Sequence, residues 1–464
     1  MRSAHAWIHC LIALGYWFVL TNVTAAESDR PHLLILVADD LRADLLGTYG
    51  GPVATPNLDR LSARGALFRR AVCGYPICHV SRTEMLSGRS VIREAASGQL
   101  IPFPQDWVLW PQAFARAGYH TIHLGKWHVR GTPAQRGYLE NAALFGGGGA
   151  GDKPLTLSRS ATGRDVSGYV GWLFKDPQGV PLPEFGIGLT PKTDDRITDE
   201  AIRVIGERGP SGRPLFVHVN FTAPHDPLHW PTDEIPRPDH DTVPLPKNFA
   251  AHHPFDHGNL GGRDETIVPG PRSQDDVRRE RAVYQAIVAK LDAQVGRILE
   301  AIDDDKGGQW LVIFTSDQGL ALGSHGLMGK QNQYEHTVNS PLILAGPGIP
   351  HGQSFTAQCA LRDLYPTTCE LAGIPIPPSV ESKSLVPLLQ GKVTSLHPQI
   401  GGYYETSQRM IRTEEGWKLI RYPKANRQQL FYLPDDPDEL HDLSDDPARR
   451  AKLDELIRKL PDDA

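Results

Sequence analysis

The run Leu33-Leu34-Ile35-Leu36-Val37-Ala38 is apolar throughout and passes directly into Asp39-Asp40. A strand with one wet face alternates apolar and polar residues. An unbroken apolar run instead predicts a strand covered on both faces, the usual state of a parallel sheet. The two carboxylates fall just past its carboxyl end, where open α/β sheets bind their ligands.

Outward from this strand, short apolar stretches alternate with helical spacing. Thr55-Pro56 predicts a helix start with Thr55 as N-cap, and Gly65 its stop. Residues 111–117 predict a helix halted by Gly118, and residues 119–124 a strand. Residues 195–205 read as a helix and 215–221 as the next strand. Val283, Ile287, Leu291, Val295, Ile298 and Ile302 recur at helical spacing, predicting a long helix over 275–302. Strands over 310–315 and 342–345 then precede a helix over 361–372. This alternation predicts an α/β fold: a mostly parallel central sheet with helices on both faces.

Two stretches break the pattern. Gly146-Gly147-Gly148-Gly149-Ala150-Gly151 opens a Gly- and Pro-rich insertion to about residue 193, and residues 225–271 form another, rich in Pro and His. Loops of this length often bind ligands, although a surface insertion without a role is the plain alternative. His229 and Trp230, in the second, are candidates for contact with substrate. Beyond Pro378, the segments Met410-Ile411-Arg412, Trp417-Lys418-Leu419-Ile420-Arg421-Tyr422 and Leu430-Phe431-Tyr432-Leu433 read as antiparallel strands before a charged tail. They predict a smaller C-terminal α+β domain over residues 379–464, packed on a large one over 27–378.

With 464 residues, 40% of them hydrophobic, the chain can bury a large core. Its formal charge of −6 is small for that length and recruits neither nucleic acid nor an acidic membrane, so any anion affinity is local. Arg2 and His5 lead into an apolar run, Cys10 to Leu20, followed by the small residues Thr24-Ala25-Ala26. Residues 1–26 therefore read as a signal peptide, with an uncleaved anchor as the alternative, and the mature chain is expected to be exported, periplasmic or secreted, with no later membrane segment. Five cysteines, one of them in that leader, do not make a disulfide scaffold. Cys359 and Cys369 either pair or stay free, since Cys369 falls within the apolar pattern of Leu361, Leu364 and Leu371.

Polar residues follow strand after strand. Asp39-Asp40 follows the first, Gly125-Lys126-Trp127-His128 the one ending at Leu124, Thr222-Ala223-Pro224-His225-Asp226 the one ending at Phe221, and Ser316-Asp317-Gln318 the one ending at Thr315. Strand ends of a parallel sheet converge, so these groups are expected at one site. Hard oxygen ligands of this kind suit Ca²⁺ or Mg²⁺ rather than zinc. Each has a plain alternative as a helix cap, a solvated lysine or a structural histidine. Cys78 stands four residues before Arg82, near an expected helix start whose free N–H groups favour an anion.

Taken together, these residues resemble the formylglycine-dependent sulfatases of the alkaline phosphatase superfamily. The resemblance runs from Asp39-Asp40-Leu41-Arg42, through Thr55-Pro56-Asn57-Leu58-Asp59-Arg60-Leu61 and Cys78-His79-Val80-Ser81-Arg82, to Trp417-Lys418-Leu419-Ile420. It implies an alkaline-phosphatase-like fold with residues 27–378 as the catalytic domain. It also implies that a maturation enzyme oxidises Cys78 to Cα-formylglycine, and that Asp39, Asp40, Asp317, Gln318 and the modified Cys78 hold the cation, Ca²⁺ before Mg²⁺. Arg82, Lys126, His128, His225 and Lys330 match the remaining active-site positions. Lys126, Lys330 and Arg82 would offset charge on sulfate oxygens, His225 with Lys330 would serve the leaving group, and His128 would take a proton as sulfate is released. The implied substrate is a sulfate ester, plausibly of a carbohydrate. One departure stands out: the family has proline two positions after the cysteine, and this chain has Val80. Two other readings stay open, a phosphodiesterase or phosphonate monoesterase of the same superfamily and a non-catalytic binding protein in which Cys78 is unconverted.

Overall fold

Strand β1 (His32–Ala38) forms at the opening apolar run and is buried at every residue. Its alternate side chains enter two different cores. Leu34, Leu36 and Ala38 pack on one face, and Leu33, Ile35 and Val37 on the other. Burying a Leu, Ile or Val contributes about 1.5–3 kcal/mol, a sizeable fraction of the roughly 5–15 kcal/mol by which a domain is stable. The computed structural model describes residues 30–92, 94, 100–207, 212–232, 235–305 and 308–460. The expected signal peptide lies outside the described residues.

The central sheet runs in the order β10 (Cys359–Ala360), β2 (Gly65–Val72), β8 (Asn339–Ala345), β7 (Trp310–Ser316), β1, β6 (Leu215–Asn220), β3 (His120–Lys126), β4 (Glu140–Gly146) and β5 (Leu173–Lys175), with β9 (Gln353–Phe355) also paired to β2. β1 is parallel to both β6 and β7, and β3 is parallel to β6 and β4. β8 runs antiparallel to β7 and β2, and β5 to β4. The sheet is thus mostly parallel, as expected. Two strands lacked a clear signal: Arg69-Arg70 interrupts the apolar run of β2, where the register also shifts, and β4 begins on the polar pair Glu140-Asn141.

On the Leu34 face lie α1 (Pro56–Ala63), α4 (Thr193–Glu207) and α5 (Gln274–Asp304); on the Leu33 face lie α3 (Trp110–Arg116) and α7 (Leu364–Leu371). Between them in sequence fall α2 (Cys78–Ser87) and α6 (Glu335–Val338). Thr55 takes the N-cap position of α1, but its hydroxyl makes no capping bond. Asp292 of α5 caps instead, accepting from Leu58 N at 2.9 Å and Asn57 N at 3.2 Å. A distant carboxylate has replaced the local cap, which couples α1 to α5. The helix expected over 361–372 begins as a 3₁₀ turn, Leu361–Asp363, before α7.

The C-terminal strands β11 (Gln399–Tyr404), β12 (Gln408–Thr413), β13 (Trp417–Tyr422) and β14 (Arg427–Tyr432) form a separate antiparallel sheet in chain order. One face sets Ile400, Met410 and Ile420 against Val72 and Tyr334, and the other sets Ile411, Leu419 and Leu430 against Leu453 and Leu456. Cys359 and Cys369 are free and buried. Among the described residues, no helix is long and apolar enough to cross a membrane.

Candidate active site

Register brings the polar strand ends together. Ala38 of β1 lies beside Ser316 of β7, Val37 beside Asn220 of β6, and Asn220 beside Gly125 of β3. The residues that follow these four strands therefore leave the sheet at one edge. Asp40 has a left-handed backbone, φ 68°, a conformation more accessible to Asp than to most side chains. It is fixed by its N–H on Asp317 Oδ1 at 3.2 Å and by Tyr284, whose hydroxyl donates to its carbonyl at 2.5 Å. The chain thereby turns sharply after β1, and both carboxylates enter one buried cluster.

Cys78 is the first residue of α2 and points at that cluster. Its Sγ lies 3.2 Å from Asp39 Oδ1 and 4.0 Å from Asp40 Oδ1. Gln318 Nε2 donates to Cys78 Sγ at 3.1 Å and to Asp40 Oδ1 at 2.6 Å. One helical turn on, Arg82 donates from Nε to Asp317 Oδ2 at 2.9 Å and from a terminal nitrogen to Asn220 Oδ1 at 2.6 Å. Arg82 thus backs the carboxylates from inside the protein, and Asp317 and Asn220 fix its orientation. Burial raises the Asp317 pKa and Asp39 adds to that against Arg82, leaving it at about 6.

Lys126 reaches Asp39 Oδ2 at 2.5 Å. Gly125 makes this possible: it has φ 81°, and a Cβ there would sit 2.0 Å from Asn220 O. Burial alone would raise the Asp39 pKa, but Lys126, His225, Arg82 and Lys330 outweigh it and hold the carboxyl well below its ordinary range. Lys330 contacts Asp40 Oδ2 at 2.7 Å and His225 Nε2 at 2.8 Å, while His225 Nδ1 lies 2.6 Å from Asp226 O. Burial opposes charge on Lys330, yet Asp40 and its neighbours raise its pKa well above normal. His128 stands at the rim, its ring 5.6 Å from His79 and 5.1 Å from Trp172, with Nδ1 unpartnered. Burial and then Lys126 hold its pKa well below the usual histidine value, so the ring is neutral.

The donor set fits a hard divalent cation. Single ligand atoms of Asp39, Asp40, Cys78 and His225 lie within 4.8 Å of one another, all buried. Gln318 Oε1 is buried without a hydrogen-bond partner, and a half-turn of its amide would present that oxygen where Nε2 now faces Asp40 and Cys78. Carboxylate and amide oxygens suit Ca²⁺ or Mg²⁺.

Asp39, Asp40, Cys78, Arg82, Lys126, His225, Asp317, Gln318 and Lys330 are thus brought together, and His128 lies beside them without bonding to the cluster. Sequence reasoning passed over two contributors, Asn220 and Tyr169. Asn220 orients Arg82, and it lay next to the end of the strand expected over 215–221. Asp226, expected at the site with His225, engages both His225 and Arg263, the latter at 2.6 Å. Tyr169 donates its hydroxyl to Asp39 Oδ2 from inside the Gly-rich insertion, where no periodicity marks it. His229 and Trp230 fall apart in role: His229 shares a cavity with His225, whereas Trp230 lies under Arg237 at 5.1 Å.

Residues 31–374 match the family model described as Sulfatase, and residues 323–463 match that described as N-sulphoglucosamine sulphohydrolase, C-terminal. An arylsulfatase of Clostridium perfringens is 28% identical, the match covering 93% of each chain. The structure of a protein in complex with its substrate D-glucosamine-2-N,6-O-disulfate superposes with a TM-score of 0.70 at 20% identity, over 93% of this chain and 97% of the other. A phosphonate monoester hydrolase of Silicibacter pomeroyi superposes with a TM-score of 0.73 at 21% identity, over 93% and 94%. These two likenesses are likenesses of fold.

Proposed function

The chain belongs to the sulfatase family, whose members hydrolyse sulfate esters, and from that premise we propose that it is an exported enzyme acting on a sulfated carbohydrate through a formylglycine made from Cys78. The observation that carries this reading is the meeting of Cys78 Sγ with Asp39, Asp40 and Gln318, with Lys126 and Lys330 bonded to the same two carboxylates. In our reading residues 27–378 form the catalytic domain and 379–464 the C-terminal domain.

Asp39, Asp40, Asp317, Gln318 and residue 78 would hold the cation, Ca²⁺ before Mg²⁺. When bound, such an ion supplies positive charge that favours an ionised hydroxyl at the nucleophile and offsets charge on a sulfate oxygen. Oxidation of Cys78 supplies, as the aldehyde hydrate, two hydroxyls on one carbon, so that one can attack sulfur and the other can lose the proton that frees sulfate.

The remaining roles belong to the chain's own side chains. Lys126 and Lys330 are buried ammonium groups already in place, so they can exchange carboxylate contacts for sulfate oxygens with little reorganisation. Arg82 keeps Asp317 ionised and oriented. His225, with Lys330 at Nε2 and Asp226 at Nδ1, is placed to deliver a proton to the departing alcohol oxygen. His128, neutral at the rim, is placed to take the proton from the second hydroxyl.

The deciding experiment produces the protein with a maturation enzyme and assays it on sulfated sugars, aryl sulfates, phosphodiesters and phosphonate monoesters. We expect the largest kcat/KM on a sulfated sugar. Faster cleavage of a phosphonate or phosphodiester than of every sulfate ester would overturn the proposal, as would no hydrolysis by protein whose residue 78 is shown by peptide mass to be converted.

A further inference from the structure

The Gly- and Pro-rich insertion between β4 and α4 sends Tyr169 into the site. Tyr169 is buried, and its hydroxyl donates to Asp39 Oδ2. Its ring packs edge-on against His225 at 4.6 Å and lies 5.1 Å from the Lys126 ammonium. The backbone is left-handed there, φ 56°, a conformation a bulky residue keeps only when its surroundings dictate it. The preceding residue is equally constrained: a Cβ on Gly168 would sit 2.2 Å from Asp226 Oδ2 and 2.6 Å from Asp226 O. The segment is therefore pressed onto the residue that engages His225 from its other side.

The two oxygens of Asp39 have different neighbours. Oδ1 faces Cys78 Sγ at 3.2 Å, within the group of atoms suited to a cation. Oδ2 is held by Lys126 and by Tyr169. We infer that Tyr169 is a positioning residue of the cation site, its hydroxyl fixing Oδ2 of Asp39 so that Oδ1 stays aimed at the point shared with Asp40 and residue 78. The inference rests on the sulfatase reading above. That reading has Lys126 turn to the sulfate, which leaves Arg82 at 3.6 Å from Oδ1 and Tyr169 as the donor that stays on Oδ2. Partners that orient a ligating carboxylate typically account for 10- to 100-fold in metal affinity.

The test is Tyr169→Phe, which keeps the ring, and with it the packing on His225 and Trp172, and removes only the hydroxyl. Ca²⁺ and Mg²⁺ affinities are measured on chelator-stripped full-length protein by competition with a chelating dye, alongside aryl sulfate hydrolysis and the thermal midpoint. We expect about tenfold weaker binding of the cation that wild type prefers, with the thermal midpoint of the stripped protein unchanged. A role in packing alone would leave the affinity unmoved, so binding within twofold of wild type overturns the inference while leaving the sulfatase reading intact. Wild-type protein that binds neither cation and hydrolyses no sulfate ester would overturn the sulfatase reading itself, and the inference with it.

Discussion

Lys330 Nζ lies 2.8 Å from Nε2 of His225, although 105 residues separate them in the chain. Burial and the Lys330 charge oppose protonation of His225, but Asp40, Asp226 and Asp39 outweigh them and raise its pKa well above the ordinary value. A contact of that length between two nitrogens needs one of them to accept, so His225 and Lys330 are not both protonated at these nitrogens while it holds. This relationship predicts a leaving-group signature. His225→Ala should lower kcat by about 10²–10⁴-fold on an alkyl or sugar sulfate, the usual worth of a general acid. On nitrophenyl sulfate, whose leaving oxygen departs without a proton, the loss should be much smaller. Equal losses on both substrates would remove His225 from the acid role.

Removal of the cation should register in stability as well as in turnover. Asp39, Asp40 and Asp317 are three carboxylates at no measurable exposure, each paired with one of the cations Lys126, Lys330 and Arg82. A ligand present at 100 times its Kd stabilises the folded state by about 2.7 kcal/mol. Chelation should therefore lower the thermal midpoint, and restored Ca²⁺ should recover it. Asp317→Asn, which weakens the site, should flatten that response. A midpoint indifferent to chelator and Ca²⁺ would argue against a bound cation.

Much of this arrangement was legible because a parallel sheet turns sequence order into position. Once β1, β3, β6 and β7 were identified from their apolar runs, their trailing residues Asp39, Lys126, His225 and Asp317 had to meet at one edge. What escaped had no periodic signal. Tyr169 lies in a segment of glycines and prolines whose path is set by contacts with Asp226 and His225; Lys330, on a loop between β7 and β8 that no strand end fixes, was named only through the family resemblance. The strand β2 was hidden by Arg69-Arg70, whose side chains leave the sheet at a register shift. Thr55 shows a local rule overridden by tertiary structure: the residue type was right for an N-cap, but Asp292 of α5 does the capping.

Asp194, at the start of α4, accepts from Thr222 N and Ala223 N at 2.8 Å each and from the Thr222 hydroxyl at 3.1 Å, which ties down the loop that carries His225. Burial outweighs those bonds and raises its pKa to about 6, against about 3.9 in an unfolded chain. Between those values the folded protein holds a proton that the unfolded chain has released. The contribution of this group is therefore full below about pH 4 and is lost as the pH rises through about 6. Denaturant midpoints measured across that window should fall with pH in wild type for this group's share, and Asp194→Asn should remove the share. The same substitution leaves a backbone N–H without its acceptor and should cost about 1–3 kcal/mol at every pH. A wild-type and Asp194→Asn pair with parallel pH profiles would refute the assignment.

Val80 bears on whether Cys78 is converted at all. It is the third residue of α2, its N–H donates to Ile77 O at 3.0 Å, and its side chain packs with Tyr75 and Tyr403. Proline there would forfeit that one bond, worth about 0.5–1.5 kcal/mol, and would gain a φ already suited to the first turn of a helix. Val80→Pro should therefore fold with only a small drop in thermal midpoint. The informative readout is the mass of the peptide that carries residue 78, which falls by about 18 Da when thiol becomes aldehyde, as the proposed nucleophile requires. Co-expressed with a maturation enzyme that reads the proline motif, the Val80→Pro protein should be converted to a higher fraction than wild type, and its activity per mole should rise in proportion. Equal conversion would mean that valine is no obstacle to maturation. Conversion of neither protein, in a chain that still hydrolyses sulfate esters, would mean that formylglycine is not the nucleophile.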